Sequence, residues 1–539
     1  MISPKDIAAQ ENNGNFDSWK DLATKSLKGK PLEKYLEISS LEGIDKSIFY
    51  AESAGEIELK TYPLKQIRTQ FYDLKKYSKE HFEQDCELGL EKFIMQVQGD
   101  KLEHAYLAQD KTHFHVQLAK NSCIENYQGQ NISIDVNDLI FKDFEAEVTR
   151  VQKVNPSAKF LIDLSHIHNA GGSVVQEITY ALSLYANLLE CDVASEKIEF
   201  RVSCHSELFL NIAKLKALRY LCERMLEQAG QELIIEIHAT NSLREQTLYD
   251  PWNNILRNST STMAQIMGGA NSISTRSYDY LFSKLTIEKP SLLAHRYATQ
   301  TLNILFEESH IEAIHNPTKG SFYIDSICHA LIKASWESFL NWRERSFLNS
   351  AKDFAIEVEA IAKLRRNEVR TRKKVITGVN DFADPEQTIE KLYSKKWRPV
   401  ELNFGYFPLR RLAYEFESLR ISNELSDKKE KVAIYCRGEL AQINARLNFI
   451  QNIFDTTVIP YKVIDNQDLG NLDEFSALVL CAPDDMYQDF LSDLKEQKVA
   501  ARRLFIAGGF KSDDLKHENL QMGMDIYSFV QSFIKEEEV

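Results

Sequence analysis

The sequence has no pair of closely spaced cysteines. Its eight, Cys86, Cys123, Cys191, Cys204, Cys222, Cys328, Cys436 and Cys481, are scattered singly. Without a CxxC spacing, a zinc ribbon or a short-range redox motif is not expected, and buried free thiols in a reducing compartment are. Glycine (20) and proline (12) are scarce, so no long low-complexity linker is expected. Cations are not in excess: the net charge is −14, which argues against a general nucleic-acid binder, since such a protein must replace phosphate counterions. No apolar run approaches the ~20 residues that span a bilayer. The opening "MISPKDIAAQENNGNFDSWKD" has no apolar core for export and carries acids, unlike a transit peptide. A cytoplasmic chain with no membrane or nucleic-acid partner is the expectation.

What is present is a long α/β pattern. At 539 residues the chain exceeds one ordinary core, so two or three domains are expected. Residues 1–45 read as a polar N-terminal arm, with a short helix over Trp19 to Lys28. Strand candidates follow at 93–98, 113–119, 159–165, 198–204, 233–240 and 271–277, with helical patterns such as 174–189 and 206–228 between them. Strands separated by helices at this spacing indicate parallel βαβ units. So many units over residues 46–360 predict a (β/α)8 TIM barrel. Polar residues gather where those strands end: Ser165, His166 and His168; Ser203 and His205; His238 and Thr240; Ser274 and Arg276. Barrel enzymes keep their sites at that face, but strand ends are also where chains return to water.

Residues 361–429 read as a helical then irregular linker. It includes "KLRRNEVRTRKK" (363–374), read as a solvated or partner-facing helix face, and "KKWRPVELNFGYFP" (395–408), broken by proline. Residues 430–539 alternate short strands and helices, "KVAIYC", "GELAQINARLNFIQNIF", "TVIPYKVI", "FSALVLCA", "MYQDFLSDLKEQ", "RRLFIAGG" and "MDIYSFVQSFIKEE". That is a flavodoxin-like, doubly wound domain.

Three stretches, in order, carry a resemblance. They are "LSHIHNAGGSVVQEITYAL" (164–182), "YDPWNNILRNSTSTMAQIMGGANSISTRSYD" (249–279) and "RYATQTLNILFEESHIEAIHNPTKGSFYIDSI" (296–327). They resemble the S-G-Y-H-M-Q-E-A-G-A, D-P-Y-N-N to G-G-x-x-S, and R-x-x-x-N-T to G-G-S-Y segments of the adenosylcobalamin-dependent acyl-CoA mutases. "LRRLAYEFESLR" (409–420) resembles the family's R-x-A-x-x-F-E-x-L-R. The resemblance implies a substrate barrel followed by a cobalamin-binding-type domain.

The departures from the family pattern carry the functional expectation. Active members have Asp-x-His-x-x-Gly after the first strand of the last domain, and its imidazole ligates cobalt. Aligned on Gly438, this chain has Leu440, Gln442 and Ala445 at those three positions. His517 is the only later histidine and is read as following the last strand. The pair Gly508-Gly509 needs no cofactor, because a packing turn accounts for it. In the barrel the family's Tyr-His falls on Ser165-His166 and its Gln-Glu on His168-Asn169. No R-Q-Y-A-G-like or A-T-H-R-G-like stretch occurs in residues 40–130. His166 and His238 are therefore read as hydrogen-bonded strand-end histidines.

No catalytic, cofactor-binding or metal residue is assigned to this chain. The resemblance implies a non-catalytic small subunit of heterodimeric methylmalonyl-CoA mutase, whose homologous large subunit would bind adenosylcobalamin and interconvert (R)-methylmalonyl-CoA and succinyl-CoA. The alternative is a self-sufficient cobalamin-dependent mutase. A barrel hydrolase is disfavoured because the strand ends offer few carboxylates.

Overall fold

A computed structural model describes residues 16–28, 31–32, 37–38, 40–48, 50, 54–73, 85–97, 114–118, 132–140, 142–285, 291–393, 407–464, 472, 474–496, 503–511 and 516–534. Cys123 and most of the proline-broken stretch 395–408 lie outside the described residues. The protein is α/β with two parallel sheets. The first contains β1 (Ile67–Asp73), β2 (Lys92–Val97), β3 (Phe114–Leu118), β4 (Ile132–Asp135), β5 (Lys159–Asp163), β6 (Ile198–Cys204), β7 (Glu236–Asn241) and β8 (Ser272–Ser274). Each pairs in parallel with the next, and β8 pairs with both β7 and β1, so the ring of eight closes. The segments joining β1 to β4 are largely outside the described residues. From β4 onward helices follow the strands, among them α1 (Val174–Glu190), α2 (Leu208–Ala229) and α3 (Asn253–Met267).

Local chemistry sets these elements. Ser173 caps α1 through the Gln176 amide N–H, and the Gln176 side chain reaches back to the Ser173 N–H. That reciprocal box satisfies two orphan donors and is worth about 1 kcal/mol. At the far end of α3, Gly268 and Gly269 turn the chain into β8. A Cβ on Gly268 would lie 2.6 Å from Leu215, and one on Gly269, at φ +78°, would lie 2.5 Å from the Tyr62 ring. Only glycine lets α3 and the strand pack this closely.

The core lies outside the strand ring. Phe160, Ile162, Phe200, Val202, Ile237, Ala239 and Ile273 point outward into one cluster with the surrounding helices. A long helix, α4 (Phe322–Glu344), covers α1 and α2, burying Ile327, Cys328 and Leu331. After it, α5 (Ala351–Arg370) adds Phe354 and Val358 to the same cluster. Each fully buried side chain of this size is worth about 2–3 kcal/mol.

The arm expected over 1–45 differs at both ends. Its helix is Phe16–Ser26, with Leu22 exposed. Its last residues belong to the barrel: Ile44 joins the core, and the Glu42 carboxylate accepts from the Val174 N–H at 3.0 Å and pairs with Arg365 at 2.8 Å. The fixed charges of Arg365 and Arg244 outweigh burial and hold that carboxyl well below its usual range.

The second sheet has the order β10 (Tyr461–Ile464), β9 (Val432–Cys436), β11 (Ala477–Cys481), β12 (Leu504–Ala507), β13 (Glu518–Leu520), all parallel. In order of appearance this is 2-1-3-4-5, the doubly wound pattern of flavodoxin-like sheets. The segment 409–417 connects the two bodies across the loops that follow β5 and β7. Arg410 N–H donates to Asn169 O at 2.7 Å, and Leu412 N–H donates to Arg244 O at 2.9 Å. Helix α6 (Tyr414–Leu425) then supplies Glu417, which accepts from Leu248 N–H at 2.6 Å and from Arg411 at 2.6 Å. Among the described residues no helix is long and apolar enough to cross a membrane.

Candidate functional site

From β4 to β8, alternation sends the partners of that outward apolar row into the ring, and apart from Leu161 they are mostly polar. In-register neighbours share a face, so Asp163 and Arg201, Arg201 and His238, Ser203 and Thr240, His238 and Ser272 line the lumen together. Ser133 and Asp135 on β4 belong to the same inner row, as does Glu199. A parallel barrel is ordinarily filled by branched aliphatic layers. Here the lumen holds hydrogen-bonding groups instead.

Most of them are satisfied by each other. Ser133 donates to Glu199, Arg201 Nη1 donates to Asp163 at 2.8 Å, and the His238 ring meets Ser272 at 2.8 Å and Ser274 at 3.2 Å. The hydroxyls of Ser203 and Thr240, side by side and buried, find no partner among the described residues. A buried hydroxyl costs free energy unless something bonds it, so these two suit a polar occupant of the lumen.

At the C-terminal mouth the site is electrically structured. His166 is the second residue of the short helix Ser165–Asn169, and its Nε2 lies 2.6 Å from Asp135 Oδ2 and 3.8 Å from Asp163 Oδ2. Burial opposes charge on the ring, but the two carboxylates outweigh it and push the imidazole up to about 9. At neutral pH it is a cation, with Nε2–H given to Asp135 and Nδ1–H as a second donor. Burial also opposes charge on Asp163, yet Arg201 and His166 hold it below its ordinary value. Asp135, Asp163 and His166 have ligand atoms within 4.8 Å of one another. The imidazolium and Arg201 already neutralise both carboxylates, so a metal ion would have to displace them.

His168 behaves differently. Both ring nitrogens are taken, Nδ1 by Glu177 at 2.8 Å and Nε2 by Ser242 at 2.8 Å. Burial, with Arg244 and Lys214 nearby, drives its pKa well below the ordinary value. Lys214 completes the network, reaching Glu177 at 2.9 Å and Ser203 O at 2.5 Å. This cluster holds α1 and α2 against β6 and offers no ligand atom.

These placements sort the residues singled out in the sequence. His166 and His238 are hydrogen-bonded, and His238 sits inside the ring. The strand ends are not poor in carboxylates: Asp135 and Asp163 occupy them, but each is paired with a cation. The arginine that neutralises Asp163 was not singled out either. A sequence signal existed, since "ISID" and "FLID" both end a strand on aspartate.

The second sheet does not fit a cobalt ligand. Leu440, Gln442 and Ala445 lie on α7 (Leu440–Asp455), and all three are exposed, Leu440 by 66%. The loop before them, Arg437-Gly438-Glu439, has no imidazole. A Cβ on Gly438 would lie 3.0 Å from Pro483, and Arg446 bridges Ala482 O and Asp484 beside Gly508. His517 precedes the last strand β13 rather than following it, and a strand of three residues shows no period in the sequence. Its Nε2 lies 3.3 Å from Phe510 O. Gly508, at φ +124°, needs glycine for its backbone alone.

Residues 137–401 match the family described as methylmalonyl-CoA mutase. The chain is 28% identical over 383 residues to the methylmalonyl-CoA mutase small subunit of Porphyromonas gingivalis, covering 65% of this chain and 60% of that protein. It is 27% identical over 420 residues to the small subunit from Propionibacterium freudenreichii subsp. shermanii, covering 71% and 64%. A protein of Mycobacterium tuberculosis named probable methylmalonyl-CoA mutase small subunit is 27% identical over 375 residues, covering 65% and 59%. The matches thus span about 60% of the length of these relatives.

Proposed function

Starting from the match of residues 137–401 to the methylmalonyl-CoA mutase family and from the small subunits it resembles, we propose that this chain is the small, non-catalytic subunit of a heterodimeric mutase. In this reading the closed strand ring is an acyl-CoA mutase-type (β/α)8 barrel within residues 46–360. Residues 361–429 are the linker, and 430–539 are a cobalamin-binding-type domain that has lost its cobalt ligand. The partner is a homologous large subunit that holds adenosylcobalamin and isomerises (R)-methylmalonyl-CoA to succinyl-CoA in the cytoplasm. The radical chemistry would belong to that cofactor, and this chain supplies no group to it.

The observation that carries the reading is the first part of α7, where Leu440, Gln442 and Ala445 stand exposed with no imidazole beside them. A neutral histidine held by a carboxylate is what a cobalt ligand of this kind requires. One observation favours a second reading, a self-sufficient mutase: the lumen keeps two unbonded hydroxyls below a cationic His166. Both readings are tested by titrating adenosylcobalamin into the purified chain and following its visible spectrum and the heat released. The proposal expects no saturable change, and mutase turnover only when the longer homologue is added. Stoichiometric micromolar binding to this chain alone would overturn it in favour of the second reading.

A further inference from the structure

The C-terminal sheet brings together two cysteines that the sequence separates by 45 positions. Cys436 ends β9 and Cys481 ends β11, and the two are direct register partners on neighbouring parallel strands. Register partners in a sheet have Cα atoms about 4.8 Å apart, inside the ~4.4–6.8 Å range that a disulfide bridges. Both side chains face α7, since Val432, Ile434, Ala477, Val479 and Cys481 share one cluster with Cys436 packed against it. Both thiols are free, and the Cys481 S–H points to Ile443 O of α7 at 4.0 Å. Cys481 is buried, whereas Cys436 is partly open to solvent at the strand-end edge of the sheet. That edge is the point where strand order reverses, with β10 on one side of β9 and β11 on the other. Doubly wound sheets form their ligand crevice there.

We propose that Cys436 and Cys481 form a reactive dithiol at this crevice, which low-molecular-weight disulfides convert to an intramolecular disulfide. Cys436 is the attacking thiol because it is the one solvent reaches, and Cys481 is the resolving thiol because it lies behind it. The neighbouring Cys481 thiol holds Cys436 below its ordinary value, while Cys436 and burial raise the Cys481 thiol. The Cys436 thiolate attacks one sulfur of an external disulfide, forming a mixed disulfide and expelling one thiolate. Cys481 then attacks the Cys436 sulfur and expels the second equivalent, which leaves as a thiol carrying the Cys481 proton. The protein loses two electrons and the external disulfide gains them.

Among the described residues, few charged or titratable groups surround the pair. Arg446 of α7 lies nearest and is bonded to Asp484, 2.8 Å away. Arg437 pairs with Asp493 at 2.8 Å, and Tyr487 donates to Ala507 O at 2.6 Å. By contrast, Cys204, Cys222 and Cys328 are buried, and burial pushes each thiol up. Buried free thiols, the expectation for the cysteines from their spacing, describes those three and Cys481, whereas Cys436 is only partly buried.

The test uses the full-length chain with oxidised glutathione as the probe, followed by acid quench, tryptic digestion and mass spectrometry. The expected product joins peptide Val432–Arg437 to the peptide carrying Cys481, with loss of two hydrogens. Cys481→Ser should stop at a persistent glutathione adduct on Cys436, because no resolving thiol remains. Cys436→Ser should leave Cys481 unmodified. Two results would overturn the proposal. One is a stable glutathione adduct on Cys436 in the unaltered chain; the other is no reaction at either thiol while the exposed Cys86 is modified.

Discussion

The protonated His166 at the barrel mouth makes stability depend on pH in a defined window. Its pKa rises from an ordinary 6.5 to about 9 in the folded chain. A group whose folded pKa is raised contributes fully below its unfolded pKa and loses that contribution as pH climbs through the folded value. The loss should therefore run from pH 6.5 to beyond pH 9. At pH 6 the linkage is worth about 3 kcal/mol at about 1.4 kcal/mol per pKa unit. The ring is 19% exposed, so solvent screening trims this to about 2–3 kcal/mol. Replacing His166 with glutamine removes the titration and leaves Asp135 without its cation. The slope rather than the offset is therefore diagnostic. Urea unfolding should be followed by tryptophan fluorescence, because Trp19, Trp252, Trp336, Trp342 and Trp397 all precede the C-terminal sheet. The excess stability of the parent over His166→Gln should fall by about 2 kcal/mol between pH 6 and pH 9.5. A difference that stays flat across that range would refute the charged pair.

Gly171 has φ +96°, and a Cβ there would sit 2.6 Å from the Ala362 Cβ of α5. Gly171→Ala should cost about 2–4 kcal/mol, and an unchanged melting transition would mean that α5 does not pack this closely. Lys214→Met strands the buried Glu177 without the ammonium 2.9 Å away and should cost about 3–5 kcal/mol. Adding Glu177→Gln should recover at least 1 kcal/mol of that, roughly the scale of coupling between contacting groups. Additive losses in denaturant titrations would show that the two side chains do not interact.

Much of the fold could be read because outward-facing strand residues are strongly apolar. Six of the eight ring strands and four of the five in the second sheet were marked by runs such as "KFLID" and "ALVLC". The others failed for a physical reason. Strand β1, "IRTQFYD", carries Arg68 and Gln70 on its outward face, and β4, "ISID", carries Ser133 and Asp135 inward, where a buried parallel strand would keep a continuous apolar run. The three residues of β13 are too few to show any period. The site was legible only as a scatter of polar residues near strand ends. That Asp135 meets His166, and Cys436 meets Cys481, depends on register between distant strands, which a single sequence does not display.

The polar lumen has a consequence for how this barrel tolerates change. Cohesion resides in its outer shell, where Phe160, Phe200, Val202 and Ile237 meet the helices, and the inner row adds little apolar burial. Replacing Ser203 by Ala or Thr240 by Val would remove a buried hydroxyl that nothing among the described residues bonds, and such a change is close to neutral or stabilising. Those two positions inside the ring can therefore be rewritten while the scaffold around them stands, whereas Arg201 and Asp163 must change together. A chain built this way can exchange what its channel accommodates, or close it altogether, without refolding.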